Sequence, residues 1–377
     1  MFLILGRMSE LSVQAPARVN IIGEHTDYNG GFVLPTTTAL YTRLTASARS
    51  DRTVEVTSRN LGEIRSFALD NIHRGNEFGW IEYVKGVAVE LQAEGIALKG
   101  ASIEIDSDIP LGGGLSSSAS LELGVATVLL GLTGASIAAP RLARLCQQAE
   151  HNYAGVRCGI MDQYTIACAE KGKAILLDCR TLDTIQVPIP SDARLIVTDS
   201  GVRHRLPDGE YNDRADECAA AVRVLARVVP GLTSLRDLDA DTLEAQKDVL
   251  GDVLHRRCRH VVSENQRVHA AVAAIERGDL TTVGALLNAC HASLRDDFEV
   301  SCDELEALVG IANTSTGVLG SRMVGAGFGG CVLSLVNASD AEEAARQISS
   351  NYNSVFGKEP WTHIVQPSEP VREVERS

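Results

Sequence analysis

Between Pro110 and Leu132 the chain reads PLGGGLSSSASLELGVATVLLGL, and no other stretch restricts the fold as much. The preceding segment, LKGASIEIDSDIP, alternates as a strand and ends at Pro110. Gly112, Gly113 and Gly114 then allow a backbone turn that side chains would block. Ser116, Ser117 and Ser118 open a helix, and the apolar run from Gly124 to Pro140 suits a buried one. A glycine turn feeding a helix N-terminus presents free N–H groups and the positive end of the helix dipole, an arrangement that suits phosphate. The serine hydroxyls can add hydrogen bonds or ligate a magnesium ion carried by a nucleotide. A flexible loop with a serine cap is the plainer reading, but a cap does not need three glycines. No Gly-Lys-Ser/Thr sequence occurs anywhere, so this is not a Walker A loop.

A chain of 377 residues with 45% hydrophobic content exceeds one typical core and predicts two domains. The proline-bearing segment QVPIPSDARLIV puts the boundary near residue 195, giving domains 1–195 and 196–377. The formal net charge of -14 excludes a general nucleic-acid or anionic-membrane binder. An anionic ligand must therefore be held by local features. The nine cysteines form no CxxC pair, and Cys158, Cys168 and Cys179 lack zinc spacing; they read as reduced core residues of a cytoplasmic protein. The opening MFLILGRM is too short for a signal peptide or a membrane span.

Along the chain, residues 11–22 read as a strand, and 30–59 as two or three strands with turns at Gly30-Gly31 and Ser50-Asp51. WIEYVKGVAVELQAEG and RLARLCQQAEHNYAG have helical spacing and stop at Gly95 and Gly155. Residues 173–201 are strand-rich. Helices are expected over 213–229, 257–277, 280–294 and 301–312, followed by strands at RMVG and CVLSLV and a loose charged tail, PSEPVREVERS.

Four further stretches carry polar chemistry. RVNIIGEHTDYN crowds Arg18, Glu24, His25, Asp27 and Tyr28 behind a strand. Arg18 can grip a carboxylate or phosphate in a two-pronged contact, and the others suit the many hydroxyls of a polyol. CGIMDQY sets Asp162 among Gly159, Ile160 and Met161, where a carboxylate is costly unless paired or functional; a helix cap is the competing reading. EHNYAG carries Glu150, alone an ordinary helix-face acid. MVGAGFGGC matches GxGxxG literally, but a strand follows it where a dinucleotide fingerprint needs a helix, so a glycine turn between two strands fits better.

Taken together, these segments resemble the GHMP kinase superfamily and, within it, the galactokinase family. RVNIIGEHTDYNGGFVLP resembles the family's sugar signature, PLGGGLSSSAS its phosphate loop and MVGAGFGGC its third motif. The likeness continues through WIEYVKGV, CGIMDQY, YNDRADEC, RHVVSEN and HASLRDDFEVSC, in order and over nearly the whole chain. It implies an α+β, two-domain fold with the active site in the interdomain cleft. It further implies an ATP-dependent kinase that phosphorylates galactose at its anomeric C1 hydroxyl. Asp162 would take the proton or position the hydroxyl, with Arg18 beside it. Glu24, His25, Thr26, Asp27 and Tyr211 would bind the sugar. Ser58 and the run Gly112, Gly113, Gly114, Leu115, Ser116, Ser117, Ser118 would hold ATP, and Ser118 with Glu150 would hold Mg2+. The expected partners are small molecules, with no nucleic acid and no membrane, and the chain is expected to be a monomer. A related sugar 1-kinase acting on N-acetylgalactosamine or arabinose, and a non-catalytic sugar sensor, are the alternatives; the intact serine loop disfavours the sensor. Ala17 departs from the glycine usual in the family before the arginine.

Overall fold

The computed structural model describes residues 10–75, 79–203 and 210–375. Its strands are β1 (Leu11–Asn20), β2 (Phe32–Val33), β3 (Pro35–Ala48), β4 (Thr53–Ser58), β5 (Glu63–Ala68), β6 (Ala101–Ser107), β7 (Lys173–Asp178), β8 (Thr184–Pro188), β9 (Ala193–Arg203), β10 (Val318–Met323), β11 (Gly329–Asn337), β12 (Trp361–Val365) and β13 (Arg372–Val374). Its helices are α1 (Ile81–Ala93), α2 (Ser117–Thr133), α3 (Ala139–Ala149), α4 (Met161–Cys168), α5 (Glu210–Leu225), α6 (Ala240–Ala245), α7 (Lys247–Glu276, broken at Gly251), α8 (Leu280–Asp296), α9 (Asp303–Asn313) and α10 (Ala341–Phe356). No described helix is long and apolar enough to cross a membrane.

The first half is a six-stranded sheet ordered β13-β1-β3-β6-β4-β5, with α1 to α4 packed together on one face. The second half is a four-stranded sheet ordered β10-β11-β9-β12 under α8, α9 and α10, and a small β2-β7-β8 sheet lies at the junction. Helix α2 is buried almost all round, as its predominantly apolar sequence demands, and it takes Ser120 and Glu122 inside with it. The glycine-rich 324–328 segment does connect two strands, β10 and β11, and opens no helix.

Strand β1 ties the two cores. Val13 belongs to the first, whereas Ala17, Val19, Ile21 and Ile22 belong to the second, so the loop after β1 starts inside the junction. Pairing of β1 with β3 slips between Pro16 and Arg18: Ala17 alone on β1 faces Thr38, Ala39 and Leu40 on β3. Such irregularities re-aim a side chain, and here the redirected one is Arg18. Ala17 sits at the slip, fully buried, outside the left-handed region, so its methyl is accommodated as core.

As far as residue 375 the tail is not loose, and residues 376 and 377 lie outside the described residues. Ser368 is buried and stitches the irregular part of β3: Thr37 Oγ1 donates to the Ser368 carbonyl at 2.7 Å, and Ser368 Oγ donates to the Thr38 carbonyl at 2.8 Å. Residues 372–374 then add an edge strand to β1. Charged edge strands are common because charge discourages further pairing, which is why this one looks like a loop in sequence. Helix α10 and strand β12 likewise stand where no element was expected.

Candidate active site

Three elements bring the chemistry together. β1 supplies Arg18, the turn after β6 supplies the glycine loop, and the first turn of α4 supplies Asp162, where the helix dipole favours an anion. Arg18 Nε and Nη2 both reach Asp162 Oδ1 at 2.7 Å, and Nη1 donates to the Gly114 carbonyl at 2.5 Å. Burial alone would lower the Arg18 pKa, but Asp162, Glu24 and Asp27 hold it above its ordinary value, so the guanidinium stays charged. Ser116 Oγ donates to Asp162 Oδ2. Ser116 holds φ 61°, a left-handed conformation that costs a non-glycine residue ~1–2 kcal/mol. Strain of this kind concentrates at functional sites.

The cleft has a volume of about 280 Å³. Arg18, Glu24, His25, Asp27, Gly112, Gly114, Ser116, Ser117, Ser118, Glu150, Asp162 and Tyr211 all line it. Gly113 and Leu115 do not: Gly113 backs onto Cys331, and the Leu115 side chain enters the second core. Thr26 is buried, its Oγ1 within donating distance of the Gly23 and Phe32 carbonyls at 2.8 and 2.7 Å, so it shapes the turn. Ser58 lies outside the lining, accepting from the Leu61 N–H at 3.3 Å. Because β4 runs parallel to β6, Ser58 stands level with Ile105, at the sheet edge from which the glycine loop departs.

On the polyol side, His25 sits among the rings of Tyr28, Tyr211 and Phe298. Burial pushes its pKa down to about 3, aided by His260, so the imidazole is neutral. Its Nδ1 shares a 2.9 Å hydrogen bond with Tyr28 Oη, and its buried Nε2 has no partner. A buried orphan nitrogen on a cavity wall is a place for a ligand hydroxyl. Asp27 is pushed up to about 7 by burial and then by Asp162, against the Tyr28 N–H and Arg18. A Cβ on Gly159 would fall 1.9 Å from Asp27 Oδ2, so only glycine fits beside that carboxylate. Glu24 is lowered: burial opposes this, but Arg322 and Arg18 outweigh it, along with the Gly325 N–H and Asn20.

The residues that hold Glu24 and its loop were not legible as site residues. Arg322, fully buried, donates from Nη1 to Glu24 Oε1 at 3.0 Å and from Nε to the Ile21 carbonyl at 2.8 Å. Glu264 accepts from the Gly23 N–H at 2.8 Å, Asn265 from the Phe32 N–H at 2.9 Å, and His260 Nε2 meets the Glu24 carbonyl at 3.0 Å. The available signal was His260 and Glu264 on the apolar stripe of α7 with Val261 and Val268, inside the RHVVSEN segment.

On the other side, Glu150 is buried at the end of α3, in a π-helical turn closed by Gly155. Gln163 Nε2 donates to it at 2.7 Å and to Glu122 at 3.0 Å. Burial and then Asp162 push Glu150 upward, with Cys158, Ser118 and Gln163 acting the other way. Among the described residues, no cluster of three or more His, Cys, Asp or Glu is arranged to hold a metal by itself. A buried acid facing a serine therefore suits a cation that brings most of its own oxygen ligands.

Family models match three segments: the GHMP kinases N terminal domain over residues 82–170, the GHMP kinases C terminal domain over 271–354, and the galactokinase galactose-binding signature over 5–48. Curated galactokinases from Roseiflexus sp. and Homo sapiens are 43% and 46% identical over 362 and 356 residues. The first alignment spans 96% of this chain and 92% of the relative, and the second 92% and 89%. Among solved structures, Lactococcus lactis galactokinase complexed with galactose superposes with a TM-score of 0.93 at 37% identity, covering 98% of this chain and 97% of that one. A mevalonate kinase shares the fold at a TM-score of 0.67 and 19% identity, covering 94% and 98%.

Proposed function

The chain belongs to the galactokinase family of GHMP kinases, and we propose that it transfers the γ-phosphoryl group of ATP to the C1 hydroxyl of galactose. The observation that carries this is the Arg18 side chain, which joins Asp162 at 2.7 Å to the Gly114 carbonyl of the glycine loop. Acceptor side and phosphate side thus share one buried cation. Asp162 receives, or holds in line, the proton of the C1 hydroxyl. The sugar oxygen bonds to the γ-phosphorus, the bond to the bridging oxygen breaks, and ADP leaves with that electron pair. Arg18 keeps Asp162 oriented and stabilises negative charge as it develops. Positioning of this kind accounts for most catalysis of phosphoryl transfer.

Glu24, His25, Asp27 and Tyr211 bind the sugar, with Thr26 fixing the turn that presents them. The backbone of the loop from Gly112 to Ser118 wraps the phosphates, with Gly113 and Leu115 shaping it from behind, and Ser58 lies toward the nucleotide side. Ser118 and Glu150 would hold Mg2+, which when bound would neutralise phosphate charge. We place the division between the halves near residue 195, within the first residues of β9, with β13 returning to the first sheet. All the side chains named come from one chain, so a monomer suffices. Nine cysteines with no disulfide among them suit a reducing compartment such as the cytoplasm.

An ADP-release assay with ATP and magnesium across galactose, glucose, N-acetylgalactosamine, arabinose and mevalonate tests the reading. The expected result is turnover with galactose far above the rest, abolished in Asp162→Asn while calorimetry still detects sugar binding. Preference for another sugar would move the substrate, and silence with all of them would sink the kinase reading.

A further inference from the structure

Behind the sugar loop lies a second cavity of about 650 Å³. Asp27, Tyr28 and Cys158 line both it and the catalytic cleft, so the two spaces share a wall. Its charge is unlike that of the rest of the molecule. In a chain of net charge -14, Arg144, His151, Arg157, Arg180 and Arg223 face this space, and Asp27 is the single carboxylate among its lining residues. Two of the arginines are engaged: Arg157 with Asp216 at 2.9 and 3.0 Å, and Arg180 with Asp237 at 2.7 Å. Arg144 on α3 and Arg223 on α5 make no hydrogen bond or ion pair among the described residues, although Arg223 acts on Asp216 at longer range. The cavity therefore keeps an excess of uncommitted positive charge. It is held between elements of both halves of the chain, with Thr233 and Ser234 adding hydroxyls.

The catalytic reading uses none of these arginines. Small-molecule sites span about 300–1,000 Å³, and this cavity lies in that range. Guanidinium groups recognise phosphate through paired N–H donors. A polynucleotide is disfavoured by the acidic charge of the whole chain. We propose that this cavity is a binding site for a small phosphate-bearing molecule, separate from the glycine loop and gripped by Arg144 and Arg223.

The test is calorimetric titration of inorganic pyrophosphate into the full chain after a non-hydrolysable ATP analogue has filled the glycine loop. Wild type, Arg144→Glu/Arg223→Glu and Arg144→Lys/Arg223→Lys are compared. The charge-reversed variant is expected to bind pyrophosphate at least about tenfold more weakly. The lysine variant keeps most of the affinity, and turnover in phosphate-free buffer stays at the wild-type level in both. Equal pyrophosphate affinity in wild type and the charge-reversed variant would overturn the site, because any binding would then lie elsewhere. Absence of binding heat in wild type would overturn it as well.

Discussion

The two loops that meet across the cleft are built by opposite means. The sugar loop, from Arg18 to Asn29, is held by side chains. His260, Glu264 and Arg322 reach it from the second half of the chain, with Asn265 pinning the strand that follows, and all four are buried. Little is left unsatisfied there except His25 Nε2. The glycine loop is held by backbone contact: a Cβ on Gly325 would come within 3.0 Å of Gly114 Cα, and one on Gly114 within 2.9 Å of the Val324 carbonyl. Gly112 is exposed and Leu111 is 55% exposed. The first-turn N–H groups of α2 have no intrahelical partner. A neutral polyol thus meets a rigid, nearly saturated surface with a few free atoms. A highly charged phosphate meets unspent backbone donors.

Arg322→Met should break this division most severely. The guanidinium is fully buried and bonds Glu24 along with the Asn20, Ile21 and Met323 carbonyls. Removing one partner of a buried pair costs about 3–5 kcal/mol. Urea unfolding should show a loss of that size, and the sugar KM should rise by about tenfold or more as Glu24 loses its counter-charge. The ATP KM should stay near wild type. Arg322→Lys restores charge without the fork, so it should recover stability further than sugar affinity. Equal rises in both KM values would mean the loops are one cooperative unit.

Gly114→Ala probes the other loop at smaller cost. Gly114 holds φ 77°, where an alanine costs ~1–2 kcal/mol before its contact with Val324 is counted. Here the ATP KM should rise and galactose binding, measured by calorimetry without nucleotide, should not change. A parallel loss of galactose affinity would show that strain passes through the Arg18 bond to the Gly114 carbonyl.

The same contrast explains what could be read in advance. The glycine loop is local: a strand, three glycines and a helix are adjacent in sequence, and so are the residues of the sugar loop. Its clamp is not. Arg322 and Glu264 lie some 300 and 240 positions from their partners, beyond the reach of any period of 2 or 3.6. Charged residues inside apolar stripes were the one visible trace. Helix α10 is faint in sequence because its buried stripe, Ala341, Ala344, Ile348 and Tyr352, is narrow and half alanine, and β13 is faint because an edge strand of three residues carries no alternation long enough to detect. Ser368 looked like part of a charged tail, and only the slip in β1–β3 pairing gives it work.

The smallest expected effect separates the loops by pH. Asp27 on the sugar side and Glu150 on the phosphate side are both raised, chiefly by burial and then by Asp162, Asp27 to about 7 from 3.8. The folded chain therefore keeps a proton on Asp27 that the unfolded chain releases near pH 4. That contribution to stability is full below the unfolded value and is lost as pH rises through 7. Asp27→Asn should flatten the decline in urea stability between pH 5 and pH 8 by less than one proton's worth, because water reaches this half-buried carboxylate. Glu150 contributes with the same sign. Each carboxylate should answer to its own ligand: magnesium with a nucleotide analogue removes the Glu150 share, and galactose, whose hydroxyls donate to ionised Asp27, removes the other. A pH slope that magnesium and nucleotide alone erased in wild type, leaving nothing for Asp27→Asn to change, would show that the two sides titrate as one group through Asp162.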